Sequence, residues 1–117
     1  MLYLKRAYVP SSPTDGTRLL VDRLWPRGVT KGALNVAEWY RDAAPSDELR
    51  QWFAHDPARW AEFKKRYFKE LESHPGIWQP ILEQARSGKT TLVYSAHDTE
   101  YNDAVALKEF LEGRLDH

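Results

Sequence analysis

The apolar run of residues 19–21 constrains the fold most, because such a run is typical of a buried strand. It passes at once into residues 22–28, which contain an acid, two arginines, a tryptophan, a proline and a glycine. Dense polar chemistry directly after a buried strand is typical of a ligand site in an α/β protein. The pattern predicts a strand over residues 18–22, followed by a binding loop.

Two other segments have the composition of strands. Residues 2–8 form the first predicted strand, and prolines with an Asp-Gly step then mark a turn. Residues 90–96 are rich in β-branched residues and lead into a polar segment, residues 97–102. The connection between the first two strands is short for a parallel crossover, so their relative direction stays open.

Helical signals fill the rest of the chain. Ser46 follows a proline and is well placed as an N-cap, and Asp56 with Pro57 marks a second helix start. The clearest apolar stripe has steps of three, four and four, at Trp60, Phe63, Tyr67 and Leu71. The whole pattern predicts one α/β domain over residues 1–117, a small layered fold with a short, at least partly parallel sheet and four or so helices.

The two polar segments meet if the second strand and the late strand are parallel neighbours, because both then open at the same edge of the sheet. Guanidinium groups there suit a planar or anionic ligand. We assign acid–base roles to Asp22, His97 and Asp98, and ligand contacts to Arg23, Trp25, Arg27, Gly28 and Asn102. The histidines lack metal-ligand spacing, so we predict no metal site, and no motif identifies a cofactor.

Each of these residues also has a purely structural interpretation. Asp22 is equally suited to an internal ion pair with a neighbouring arginine, and Trp25 to a place in the core. Asp98 and Asn102 are both good caps for the last helix. His97 is the kind of loop histidine that most often lies on the surface.

Composition excludes several classes of function. Seventeen basic and seventeen acidic side chains cancel, which disfavours a nucleic-acid binder that depends on phosphate neutralisation. The chain has no cysteine, and so no disulfide, thiolate nucleophile or cysteine metal site. No run approaches the roughly 18 apolar residues of a membrane helix, and no signal-peptide pattern is present. We therefore expect a cytoplasmic protein without a membrane partner.

The run Asp-Arg-Leu-Trp-Pro-Arg-Gly at residues 22–28 resembles the YeaO-like branch of the domain of unknown function 488 family. The resemblance continues through residues 39–71 and 93–102, and so covers nearly the whole chain. It implies the α/β fold but no established chemistry. A longer branch of the family has a Cys-His-Arg step after the late strand, where this chain has Glu-Tyr-Asn-Asp at residues 100–103. Thiol chemistry therefore does not transfer to this chain.

Three functional hypotheses follow. The leading one is binding of a small anionic or nucleotide-like ligand at the strand-end cleft, with catalysis left open. The second is a non-catalytic interaction module that uses Trp39, Trp52 and Trp78 as anchors. The third is an RNA-binding or regulatory protein, which requires the basic helix face around residues 64–69 to border the same cleft.

Overall fold

The computed structural model describes residues 1–115, which form a four-stranded sheet and five α-helices. The strands are β1 (Leu2–Arg6), β2 (Thr17–Leu20), β3 (Glu38–Trp39) and β4 (Thr90–Tyr94). The helices are α1 (Lys31–Leu34), α2 (Asp47–Phe53), α3 (Trp60–Glu72), α4 (Pro75–Ser87) and α5 (Asp103–Leu115). Short 3-10 turns cover Pro13–Asp15, Arg41–Ala43 and Pro57–Arg59. The predicted α/β class is confirmed.

The sheet has the order β1-β4-β2-β3, and every neighbouring pair of strands within it is parallel. β4 lies between β1 and β2, and Leu92 is in register with Leu4 on one side and Leu19 on the other. The first two strands are therefore not a hairpin, because the late strand separates them. This order also meets the condition that brings the two polar segments to one edge.

The central strands are buried on both faces, as expected of a parallel sheet. Leu19 and Leu92 point into the larger core, which contains residues of α2, α3, α4 and α5. Leu20 and Val93 point to the opposite face, where a smaller cluster includes Leu34 of α1. This alternation has the two-residue period of a strand.

The predicted helix starts are largely confirmed. The Oγ atom of Ser46 accepts a hydrogen bond from the Leu49 N–H at 3.2 Å at the start of α2. Asp56 accepts one from the Ala58 N–H at 3.0 Å, although the chain first makes a 3-10 turn and enters α3 at Trp60. The four stripe residues of α3 turn toward the core, with Trp60 half-buried at its start. The prediction did not include α1, a single turn that Thr30 caps.

No helix within residues 1–115 has both the length and the apolar character that a membrane span requires.

Candidate functional site

The polar segments after β2 and β4 are joined by direct hydrogen bonds. Oδ2 of Asp22 accepts from the backbone N–H of Ser95 at 2.8 Å and from its hydroxyl at 2.7 Å. The parallel pairing of the two strands causes this contact, because both strands end at the same edge. Burial raises the pKa of Asp22, and the bonds from Ser95 oppose that rise.

A cleft of about 250 Å³ opens at this edge, between the ends of β2 and β4 and the start of α5. Three of the sequence-predicted residues line it: Asp22, Arg23 and Asn102. The other polar residues of its wall were not among the predicted site residues; they are Arg50, His55, Tyr94, Ser95 and Asp103. Their apolar neighbours include Leu24, Phe53 and Ala104.

Arg23 and Arg50 bring two guanidinium groups to the cleft. Within residues 1–115, two buried side-chain nitrogen or oxygen atoms lack a hydrogen-bond partner. They are the Nε atoms of these two arginines. Both side chains approach Asp47 of α2: Arg50 bonds to it through Nη2, and Arg23 Nε lies 3.3 Å from Oδ1 without hydrogen-bond geometry. These arginines lower the pKa of the Asp47 carboxyl. Each guanidinium thus keeps one buried N–H without a hydrogen bond, and that of Arg23 has an ion-pair contact with Asp47.

Asp103 is the first residue of α5 and has the most perturbed carboxyl of the cleft. Burial raises its pKa to about 6, and the negative charge of Asp22 acts in the same direction, whereas Arg50 opposes both. In contrast to Asp22, its side chain makes no hydrogen bond within the described part of the chain. Asp103 therefore presents carboxyl oxygens that have no protein donor.

Asn102 and Asp98 organise the segment before α5. Asn102 is 2% exposed; its Oδ1 accepts from the Val105 N–H at 2.9 Å, and its Nδ2 donates to the Asp98 carbonyl at 2.7 Å. The Asp98 side chain accepts from the N–H groups of Glu100 and Tyr101 at 2.8 and 3.0 Å, and these bonds lower its pKa. Asn102 is thus the helix cap, whereas Asp98 stabilises the preceding turn outside the cleft lining.

His55 reaches the cleft through an unusual backbone path. Ala54 and His55 have positive φ angles of 47° and 56°, so the chain turns sharply after α2. Neither residue is glycine, and such conformations cost energy for residues with a Cβ atom. The turn sets the ring of His55 6.1 Å from that of Phe53, at the side of the cleft.

Besides Asp98, four predicted residues lie outside the cleft lining, and two of them have a clear structural role. The indole N–H of Trp25 donates to the Val29 carbonyl at 2.7 Å, and its ring packs edge-on against Trp39 at 5.5 Å. Gly28 has a φ angle of 78°, in the region that favours glycine. Both residues thus shape the loop that follows β2.

The other two are exposed. Arg27 is absent from the cleft lining, and its carbonyl accepts from the hydroxyl of Tyr8 at 3.2 Å. Nδ1 of His97 lies 3.5 Å from Nη2 of Arg6, whose Nε donates to the Ala96 carbonyl at 2.8 Å. The structure therefore gathers Asp22, Arg23 and Asn102 from the predicted set, and leaves these two at the surface.

Within residues 1–115, no three or more histidine or acidic side chains come together as a possible metal-ligand group. Asp22 and Asp103 are the two carboxyls of the cleft, but the arginines balance their charge.

Comparison with known proteins identifies the family. A family model described as the inactive DUF488-N3 subclade matches residues 1–117. The chain belongs to this subclade. Among its DUF488 relatives, it is 40% identical to the uncharacterized protein YeaO of Escherichia coli K12, over 92% of this chain and 93% of the relative. It is 39% identical to the uncharacterized protein Rv3073c of Mycobacterium tuberculosis H37Rv, over 93% and 92%. No solved structure gives a significant match. The resemblance at residues 22–28 is thus confirmed for the whole chain.

Proposed function

We propose that this chain binds a small anionic ligand in the strand-end cleft and performs no chemistry on it. One observation carries the proposal: the guanidinium groups of Arg23 and Arg50 line the same cleft, and neither buried Nε atom has a hydrogen-bond partner within residues 1–115, although that of Arg23 lies 3.3 Å from Asp47. Buried donors in native proteins are almost always satisfied, and a bound ligand is one way to satisfy them. We therefore assign the ligand to the part of the cleft that these two guanidinium groups line.

The chemistry of the donors indicates an anion. A guanidinium presents several N–H groups in a plane and binds phosphate or carboxylate through two of them. Ala104, in the first turn of α5, also lines the cleft, and the first turn of a helix favours negative charge. Asn102 already caps the N–H of Val105, and the N–H groups of residues 103 and 104 have no carbonyl partner within the helix.

Two observations support binding without catalysis. The subclade of the chain is described as inactive. In addition, the hydroxyl of Ser95 donates a hydrogen bond to the Asp22 carboxylate. This bond joins the two strand ends, so both groups have a structural role. A cytoplasmic location is part of the proposal, because a chain without cysteine suits a reducing compartment.

The test is isothermal titration calorimetry of the intact chain with orthophosphate and with AMP. Arg50→Gln removes one guanidinium, and we expect it to weaken binding about tenfold or more, because charge-assisted hydrogen bonds contribute about 1.5–3 kcal/mol. Arg86→Gln is the matched control, since Arg86 pairs with Glu83 on the surface of α4, outside the cleft lining. Equal affinity of wild type and Arg50→Gln contradicts the proposal.

The packing of the tryptophans favours this role over an interaction module. Trp78 is 8% exposed and belongs to the core. The guanidinium groups of Arg41 and Arg66 each cover a half-buried indole, those of Trp39 and Trp52, at 4.1 Å from the ring centre. None of the three indoles is therefore an uncovered anchor.

The position of the basic helix face likewise favours a small ligand over RNA. Lys64 pairs with Glu109 at 3.0 Å, and Arg66 pairs with Glu62 at 3.2 Å. Neither side chain lines the cleft, so neither contributes its charge to the wall of the candidate site.

A further inference from the structure

We propose that the ligand is a phosphorylated sugar, with its phosphate at Arg23 and Arg50 and its hydroxyl groups donating to the carboxyl of Asp103. This inference rests on the proposed function and adds to the same site an acceptor for the hydroxyl groups of the ligand. The arginines explain why an anion binds, whereas Asp103 needs a ligand that also brings hydrogen-bond donors.

Asp103 is the free acceptor of the cleft. Asp22, the neighbouring carboxyl, receives two hydrogen bonds from Ser95, but the carboxyl of Asp103 receives none within residues 1–115. An ionised carboxylate is purely an acceptor, and its two oxygens accept from two adjacent hydroxyl groups. Burial raises the pKa of Asp103 to about 6, so the group is still mostly ionised at pH 7. The orthophosphate dianion offers it a single P–OH donor on a group whose charge the carboxylate repels, whereas a sugar phosphate carries several hydroxyl groups away from its charge.

The remaining wall of the cleft suits the carbon face of a sugar. Leu24 is 71% exposed, a high value for a leucine, and it borders the cleft together with Phe53 and Ala104. These apolar groups gain contact with the carbon atoms of a sugar ring, but orthophosphate offers them nothing to cover. The cleft thus has a cationic part, a carboxyl part and an apolar part, and a sugar phosphate has a group for each.

The volume of the cleft limits the ligand. Sites for drug-sized molecules have volumes of about 300–1,000 Å³. The cleft here has about 250 Å³, just below that range. A pentose phosphate therefore matches the space better than a whole nucleotide, whose base would extend outside.

The experiment compares ribose 5-phosphate with orthophosphate by isothermal titration calorimetry of the intact chain. We expect ribose 5-phosphate to bind at least about tenfold more tightly, because hydrogen bonds to a charged group are worth that factor or more. Asp103→Ala should reduce this ratio severalfold, to the preference that the apolar wall alone provides. We compare the ratio of the two affinities, because removal of the Asp103 charge strengthens phosphate binding equally for both ligands. Glu83→Gln, on the exposed surface of α4, is the control and should leave the ratio unchanged.

Two results separate the two proposals. If both ligands bind with equal affinity and Arg50→Gln weakens both, the anion site stands and the sugar assignment is wrong. If neither ligand binds to the wild type, the proposed function fails, and the sugar assignment fails with it. A ratio in Asp103→Ala that equals the wild-type ratio also overturns the role of Asp103. Asp103→Asn, which keeps the shape of the side chain, checks that a changed ratio does not come from misfolding.

Discussion

The carboxyl of Asp103 makes the protein less stable at neutral pH than in mild acid, and Asp103→Asn should remove this cost. The pKa of Asp103 is about 6 in the folded chain, against 3.8 for an ordinary aspartate, because burial and Asp22 disfavour the charge. The folded state therefore binds this proton more tightly than the unfolded state, and the contribution of Asp103 to stability falls as pH rises from about 4 to 6.

The magnitude follows from the shift. About two pKa units correspond to roughly 3 kcal/mol at 1.36 kcal/mol per unit. The N-terminus of α5 stabilises a negative charge by about 0.3–1 kcal/mol, and Asp103→Asn loses this interaction because an amide is neutral. We therefore expect Asp103→Asn to be about 2 kcal/mol more stable than wild type at pH 7.

Urea denaturation of both chains at pH 4, 5, 6, 7 and 8 measures this difference. The variant should gain its advantage between pH 4 and 6, and the two chains should converge toward pH 4. Asp47→Asn provides the contrast, because the arginines lower the pKa of Asp47 and its loss should bring no stabilisation at pH 7. A stability difference between wild type and Asp103→Asn that is independent of pH would refute the reasoning.

Three further predictions concern the scaffold, and thermal or urea unfolding checks each. Ala54→Gly should stabilise the chain by about 0.5–1 kcal/mol, because Ala54 has a left-handed backbone; a destabilised variant would contradict this. Gly16→Ala should destabilise it by about 2 kcal/mol or more, because a Cβ atom there lies 2.2 Å from the Lys89 carbonyl oxygen and φ is 67°; wild-type stability would show that the backbone yields. Arg18→Ala should cost about 3–5 kcal/mol, because the buried Arg18 bonds to Asp15 at 2.8 Å; a loss below about 1 kcal/mol would show that Lys5 suffices as partner.

The fold was predictable where local patterns decide it. The stripe of α3, the Ser46 cap and the strand character of residues 90–94 all depend on spacing within one segment, and the structure confirms them. The direction of β1 relative to β2 depends on which strand lies between them, and no local pattern contains that information. The single turn of α1 was missed because its four residues show no helical periodicity.

The candidate site was predictable in the same limited sense. Asp22 and Arg23 follow a buried strand directly, so their place at the sheet edge follows from the strand itself. Arg50 lies on α2, and its approach to the cleft depends on how that helix packs against the sheet. Asp103 follows the cap residue Asn102, and an acid at this position is common in helices, so nothing in the sequence singles it out. Its burial depends on the packing of the folded chain.

The central claim is that the cleft between the ends of β2 and β4 binds a small anion. The most direct measurement is a titration of the isotope-labelled intact chain with orthophosphate, followed by amide ¹H–¹⁵N correlation spectra. We predict saturable shifts at the amides of Arg23, His55, Asp103 and Ala104, which line the cleft, and none in the second half of α4. Shifts that never saturate, or that occur mainly outside the cleft, would contradict the account.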